Sequence, residues 1–236
     1  MSSLYLNPAL EDASTGSRVG LAGDEAKHAV TVARTRVGER LSIGNGRGLV
    51  VSGAVTSLEP FSIEVDDVRR EPAPVPELWL VQALAKGDRD ELAVQAATEL
   101  GVSGVIPWAA ERSVTRWEGA KVEKGRARWE AIVREASKQS IRAWVPEVGQ
   151  LIGIKQFTGA VLVLDPVATT ALTSVALPTE GRIQLVVGPE GGVSPREFEL
   201  LEEGGATRVR LGGEILRTST AGPAAIAVLN ARLGRW

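Results

Sequence analysis

The chain contains no cysteine and only one histidine, His28. Without cysteine there is no disulfide, no thiolate nucleophile and no cysteine-ligated zinc. One histidine leaves no basis for a multi-histidine metal centre and argues against a Ser-His-Asp triad, so no metal is expected. No apolar run reaches the ~18 residues of a membrane span, so no membrane partner is expected either. The opening Met1-Ser-Ser-Leu-Tyr-Leu-Asn-Pro8 has neither the basic nor the apolar region of a signal peptide. With the missing cysteine, this reads as a cytoplasmic protein. The phosphate-loop signatures Gly-x-Gly-x-x-Gly and Gly-Lys-Ser/Thr are missing too. A net charge of −2 gives no global nucleic-acid signature.

What is present is an ordinary globular composition, 44% hydrophobic and 24% charged over 236 residues. Glu71-Pro-Ala-Pro-Val-Pro76 reads as an extended, semi-rigid spacer. It sets residues 1–70 apart from residues 77–236. The first part is β-rich. Leu4–Leu6, Arg40–Gly44, Leu49–Val55 and Phe61–Val65 read as strands with glycine turns such as Gly44-Asn-Gly46, and a short helix follows Gly23 with Asp24 as its cap. Several short strands in 70 residues predict a small barrel. The second part alternates strand and helix, which predicts an α/β domain with a mostly parallel sheet. Its helices include one capped by Asp88 and ended by Gly101, one over roughly 121–141, and a last one from about Ser219 to Leu233 with Pro223 in its first turn.

Charge is distributed unevenly. Residues 112–142 carry nine basic and four acidic side chains, a local net charge of +5. Such a segment can hold phosphates. Its other reading is a solvated helix with Glu/Arg pairs, such as Glu130 with Arg134.

The most informative stretch begins at the apolar run Ile183–Val187, a buried strand by its pattern. It breaks into Gly188-Pro189-Glu190-Gly191-Gly192, whose glycines accept positive φ or close approach by a ligand. Ser194-Pro195-Arg196-Glu197 then reads as a capping box with proline at the first helical position. Strand, glycine loop and capped helix build a ligand crevice at a strand's carboxyl end. A second such element, Val209 to Pro223, follows closely. Two glycine loops this near in sequence can close around one small molecule.

Gly188-Pro-Glu-Gly-Gly192 with Glu197, followed by Leu211-Gly-x-x-Ile-Leu-Arg-Thr-x-Thr-Ala-Gly222, resembles the knotted SPOUT methyltransferases. Within them the chain resembles the bacterial small-subunit ribosomal RNA uridine N3-methyltransferases, the RsmE family. Lys86, Thr98-Glu-Leu-Gly-Val102, Pro107, Arg112-Ser113, Glu135 to Arg142 and Pro146 agree in the same order. The resemblance implies a PUA-like barrel before a SPOUT domain with a trefoil knot. It implies S-adenosylmethionine (SAM) as methyl donor without a metal, a homodimer built partly on the last helix with Ile226, Val228 and Leu229, and a uridine of 16S rRNA as target, within the small ribosomal subunit. Gly213-Glu214 and Ser219 depart from the family pattern, and the departures are expected to bear on substrate contacts more than on the cofactor pocket.

On this resemblance the cofactor walls are Gly188, Pro189, Glu190, Gly191 and Gly192; Leu211, Gly212, Leu216 and Thr218; and Leu164, which precedes Asp165. Leu211 and Leu216 have core packing as their other reading. Methyl transfer to uracil N3 requires loss of the imide proton. Glu190 or Asp165 would accept it, or a cation, Arg142 or Arg217, would stabilise the uracil anion. RNA contacts fall to Arg112, Arg126, Arg128, Lys138, Arg142 and His28, with Trp117 as a stacking candidate. Two other functions fit part of the pattern: a SPOUT ribose 2′-O-methyltransferase, and a non-catalytic RNA-binding assembly factor.

Overall fold

In the N-terminal part, alternation of apolar and polar residues dictates two long strands. Phe61, Ile63 and Val65 turn inward while Ser62, Glu64 and Asp66 face out, so burial follows the two-residue period. The structure, a computed structural model, describes residues 4–236; the first three residues of the opening segment lie outside them. The chain divides into two units, one of residues 1–73 and 137–145, the other of 74–136 and 146–236.

The first unit holds β1 (Leu4–Leu6), β2 (Arg18–Gly20), β3 (Arg40–Gly44), β4 (Leu49–Leu58) and β5 (Phe61–Arg70). They form one mixed sheet in the order β1-β3-β4-β5-β2, antiparallel except for β1 beside β3. Tyr5, Leu41, Ile43, Val51, Phe61 and Ile63 fill its core. Gly53 sits where β4 shifts register against β5, and a Cβ there would lie 1.9 Å from the Glu64 carbonyl oxygen. Asn45 organises the β3–β4 turn, its Oδ1 accepting from the backbone N–H groups of Arg47 and Leu49. The short helix α1 (Gly23–Lys27) runs on into a π-helical turn over His28–Val32. Its N-cap is Ala22, so Asp24 does not cap it; Asp24 lies inside the first turn, where a carboxylate still favours the helix dipole.

A segment distant in sequence completes this unit. Ala143 and Trp144 pack with Leu4 and Val50. Trp144 Nε1 donates to the Glu71 carbonyl at 2.9 Å, and Gly48 N–H donates to the Ala143 carbonyl at 2.9 Å.

The second unit carries β6 (Glu77–Ala83), α2 (Arg89–Glu99), β7 (Gly104–Trp108), β8 (Glu147–Val148), β9 (Ala160–Leu164), β10 (Arg182–Val187), α4 (Pro195–Glu203), β11 (Thr207–Val209) and α5 (Thr218–Arg232). Helix α3 (Ala120–Gln139) begins in this unit and ends in the 137–145 segment of the first. The six strands are all parallel, in the order β11-β9-β10-β6-β7-β8. Strands covered on both faces read as near-continuous apolar runs, and every residue of Ile183–Val187 is buried, the polar Gln184 included.

Helix ends explain where the chain turns. Ser194 Oγ accepts from Glu197 N–H at 3.2 Å, and Glu197 Oε2 accepts from Ser194 N–H at 2.9 Å, so the capping box forms with Pro195 in the first turn. Asp88 occupies the N-cap of α2 but its side chain makes no cap bond. Asp90, inside the first turn, instead ties the helix to the segment before it, its Oδ2 accepting from Ala85 N–H at 3.2 Å. Because α5 starts at Thr218, Pro223 falls in its second turn and cannot donate to the Ser219 carbonyl. Ile226 and Leu229 are fully buried within the chain's own core, so they are not an exposed face of that helix. Among the described residues no helix is long and apolar enough to cross a membrane.

Candidate functional site

Strand β10 ends in Val187, and the chain must leave the sheet there. Two side chains from elsewhere in the second unit hold the exit. Trp108 Nε1 donates to the Val187 carbonyl at 3.0 Å, and Thr218 Oγ1 donates to the Gly188 carbonyl at 2.8 Å. Beyond them Gly192 takes φ +71° and donates its N–H to the Pro189 carbonyl at 2.9 Å, closing a tight turn. Gly188 has no room for a side chain, since a Cβ would lie 2.9 Å from Val193 Cγ2.

This loop, the Leu211–Thr218 stretch and the end of β9 enclose a cleft of about 590 Å³. Leu164, Gly188, Pro189, Glu190, Gly192, Leu211, Gly212, Leu216 and Thr218 all line it, as does Arg217. Gly191 does not; it faces Arg112, whose Cβ would lie 3.0 Å from a Cβ added there and whose Nη1 donates to the Gly191 carbonyl at 3.2 Å. The sequence reading missed Arg89, Pro166, Val187, Val193, Phe198, Ile215 and Ala221 as lining residues. Phe198 and Ala221 lie one turn into helices, where their pattern signalled only packing. Glu214 also lines the cleft, so that departure from the family pattern reaches the pocket itself.

Two of the cleft's three carboxylates, Glu190 and Asp165, are committed. Glu190 Oε1 accepts from Lys86 N–H and from Arg89 Nη1, both at 2.9 Å. Partial desolvation works to raise its pKa, but hydrogen bonds from its own backbone, from Lys86 and from Arg89 prevail and hold it below the usual carboxylate range. Asp165 is buried and bound by Arg208, with Nε at 2.8 Å and a closer contact from Nη2. By contrast, the exposed Arg217 guanidinium makes no hydrogen bond or ion pair among the described residues.

Residues 71–230 match the model of an RNA methyltransferase domain, and residues 21–67 that of an RNA methyltransferase PUA domain. The ribosomal RNA small subunit methyltransferase E of Mycobacterium tuberculosis is 39% identical over 94% of this chain and 89% of its own length. That of Bacillus subtilis is 31% identical over 90% of this chain and 88% of its own length. The chain belongs to the ribosomal RNA small subunit methyltransferase E family. Among solved structures, the Neisseria gonorrhoeae ribosomal RNA small subunit methyltransferase E, bound to S-adenosyl methionine, superimposes with a TM-score of 0.85 at 29% identity, covering 98% of both chains.

In this family member the remaining sequence candidates divide by unit. Arg142 lies in the first unit, just after Ile141, which takes the left-handed φ of +53°. Burial pulls the Arg142 pKa down to about 10, with Glu71 opposing that shift, so the side chain is cationic at neutral pH. His28 is exposed, with its ring 5.9 Å from that of Tyr5. Lys138 is enclosed: its side chain is 9% exposed and its Nζ lies 3.3 Å from Glu25 Oε1. In the second unit Arg126 pairs with Glu130 at 2.7 Å and Arg128 with Glu91 at 3.0 Å. Trp117 packs edge-on against Trp129 at 5.5 Å, and its ring covers Gly125. At least three of the nine basic side chains of residues 112–142 are thus paired with acidic neighbours.

Proposed function

We propose that this chain is a SAM-dependent methyltransferase acting on N3 of a uridine in small-subunit (16S) rRNA. The observation that carries this reading is the cleft built from two glycine-bearing loops, in a chain related over almost its whole length to a SAM-bound member of the family.

The residues present fit the cofactor. Leu164, Val187, Phe198, Leu211 and Leu216 provide apolar walls for an adenine, and glycines among the lining residues leave backbone groups open to its edge. Glu190 and Glu214 give the cleft acidic groups suited to a sulfonium and an ammonium. When bound, SAM supplies an electrophilic methyl group. The chain's own task is then to hold uracil N3 in line with it and to lower the cost of removing the imide proton. Arg217, uncommitted in the cleft, is the group assigned to stabilise the developing uracil anion. The depressed pKa of Glu190 makes it a weak proton acceptor.

The same reading gives the β-rich first unit, with His28 and Arg142, to RNA recognition together with Arg112. Arg126, Arg128 and Lys138 become secondary contacts, since each already holds an acidic partner. It includes a homodimer, supported by exposed apolar side chains on the second unit, Leu92 and Ile215, the latter 83% exposed. It also includes a knotted passage of Leu211–Gly222, supported by the close seat of Gly222, where a Cβ would lie 3.0 Å from Leu80 Cδ1. The expected setting is the small ribosomal subunit in the cytoplasm. Nucleoside analysis of small-subunit RNA incubated with the protein and SAM tests the reading. A methylated uracil base supports it, a methylated ribose replaces it with 2′-O chemistry, and no SAM binding leaves an assembly factor.

A further inference from the structure

Gln82 sits on β6 with no exposed surface, yet its amide is not idle. Nε2 donates to Thr218 Oγ1 at 2.8 Å and to the Ala83 carbonyl at 3.1 Å. Thr218 Oγ1 in turn donates to the Gly188 carbonyl at 2.8 Å. The direction of this chain is fixed. Both partners of Nε2 act as acceptors, so the nitrogen must point that way. The Thr218 proton is used on Gly188, so its hydroxyl can only accept from Gln82. Gln82 Oε1 is left buried without a partner, which is the cost of holding the amide in this orientation.

We infer that Gln82 is a positioning residue for the cofactor cleft, acting through Thr218 on the Gly188 carbonyl without lining the cleft itself. The inference rests on the reading of that cleft as a SAM site. The relay joins three elements far apart in sequence: β6, the first residue of α5 and the exit of β10. Gly188 cannot be held by a side chain of its own, and Pro189 has no N–H to anchor the next peptide. The orientation of the Gly188–Pro189 peptide therefore depends on what its carbonyl binds. With Val187 already tied by Trp108, the Thr218 bond fixes the second of two consecutive carbonyls. Release of the relay lets this peptide rotate, and the loop loses its preformed shape for the ligand.

The test is calorimetric titration of the full-length protein with SAM, beside Gln82→Leu, Gln82→Glu, Thr218→Val and Thr218→Ser, each checked for folding by thermal melting. Gln82→Leu and Thr218→Val should each weaken SAM about tenfold, the scale of one lost buried hydrogen bond. The double variant should be little weaker than either single one, because both break the same relay. Thr218→Ser keeps the hydroxyl and should bind within about twofold of wild type. Gln82→Glu is the decisive case. An ionised carboxylate accepts only, so it would draw the Thr218 proton away from Gly188; protonated, it donates as the amide does. Burial raises the pKa of the introduced carboxyl, so the variant's SAM affinity should be poor above that pKa and should recover towards wild type as the pH falls through it. A folded Gln82→Leu protein with wild-type SAM affinity, or a Gln82→Glu protein whose affinity does not change as its introduced carboxyl ionises, overturns the relay while leaving the SAM site intact. A wild-type protein that fails to bind SAM overturns the SAM reading and the relay together.

Discussion

The Arg208 guanidinium is bound to the buried Asp165 carboxylate and lies over the Phe198 ring, 4.4 Å from its centroid. Asp165 and Phe198 both line the cleft, so one arginine outside it fixes two of its walls. The Asp165 carboxylate also accepts from Val167 N–H at 3.1 Å, which leaves it poorly placed to take a proton from a substrate. Removing Arg208 strands a buried negative charge, whereas removing the charge of Asp165 leaves an arginine that solvent can reach. Arg208→Ala is expected to lower stability by about 3 kcal/mol, and Asp165→Asn by clearly less. The combined variant should recover part of the Arg208→Ala loss. Denaturant unfolding of the three proteins measures this; equal losses for the two single variants would contradict it.

Glu190 gives a pH prediction. Its folded pKa lies below the unfolded value, so its hydrogen bonds to Lys86 and Arg89 stabilise the fold above the ordinary carboxylate pKa. That contribution is lost as pH falls through the depressed folded value. Wild type should therefore melt higher than Glu190→Gln at pH 7, with the difference shrinking to nothing in the acid range. Methylation rate should show no limb near neutral pH that Glu190→Gln removes. A neutral-pH limb lost in that variant would make Glu190 a proton acceptor after all.

The glycines of the first loop rank by what surrounds them. Gly188→Ala forces a Cβ to 2.9 Å from Val193 Cγ2 and 3.1 Å from Val193 N, where backbone must shift. Gly191→Ala meets Arg112 at 3.0 Å, away from the cleft. SAM affinity should fall by about tenfold or more in Gly188→Ala, as expected when a close-packed loop is forced open, and less in Gly191→Ala. Isothermal titration decides, and the reverse ranking would mean that the Gly191 side faces the ligand.

Arg217 and Arg142 should separate in kinetics. Arg217→Ala is expected to lower turnover by about a hundredfold with little change in affinity for SAM, the signature of a group that acts on developing charge. Arg142→Ala should raise KM with kcat nearly kept, as a group that holds RNA would; a fall in kcat with RNA affinity kept would move that cation to the uracil. Single-turnover assays with filter binding distinguish these outcomes.

The cleft was legible in the sequence because glycine, proline and capping residues are local signals: the loop at 188–192 and the box at Ser194 to Glu197 form as their spacing dictates. What could not be read were arrangements set by partners distant along the chain. Gln82 looks like any residue of a buried strand, and its bond to Thr218 spans 136 positions. Asp24 and Asp88 had the right residue type for caps, but caps depend on where the first turn closes, and each helix closed without using that side chain. The proline-rich spacer marked a change in composition, yet the segment 137–145 packs with the first unit, so the strand-rich unit is not a simple N-terminal block. The basic segment was countable in sequence, whereas the pairing of Arg128 with Glu91 became visible only when α2 and α3 were placed.

Small-subunit RNA, free and assembled in subunits, is incubated with the protein and SAM carrying a labelled methyl group, digested to nucleosides and analysed by mass spectrometry. One labelled product is expected, a uridine with the methyl on the base at N3, and its yield should fall sharply in Arg217→Ala. Label on a ribose 2′-oxygen, or no label from a protein that binds SAM, would contradict N3 methylation.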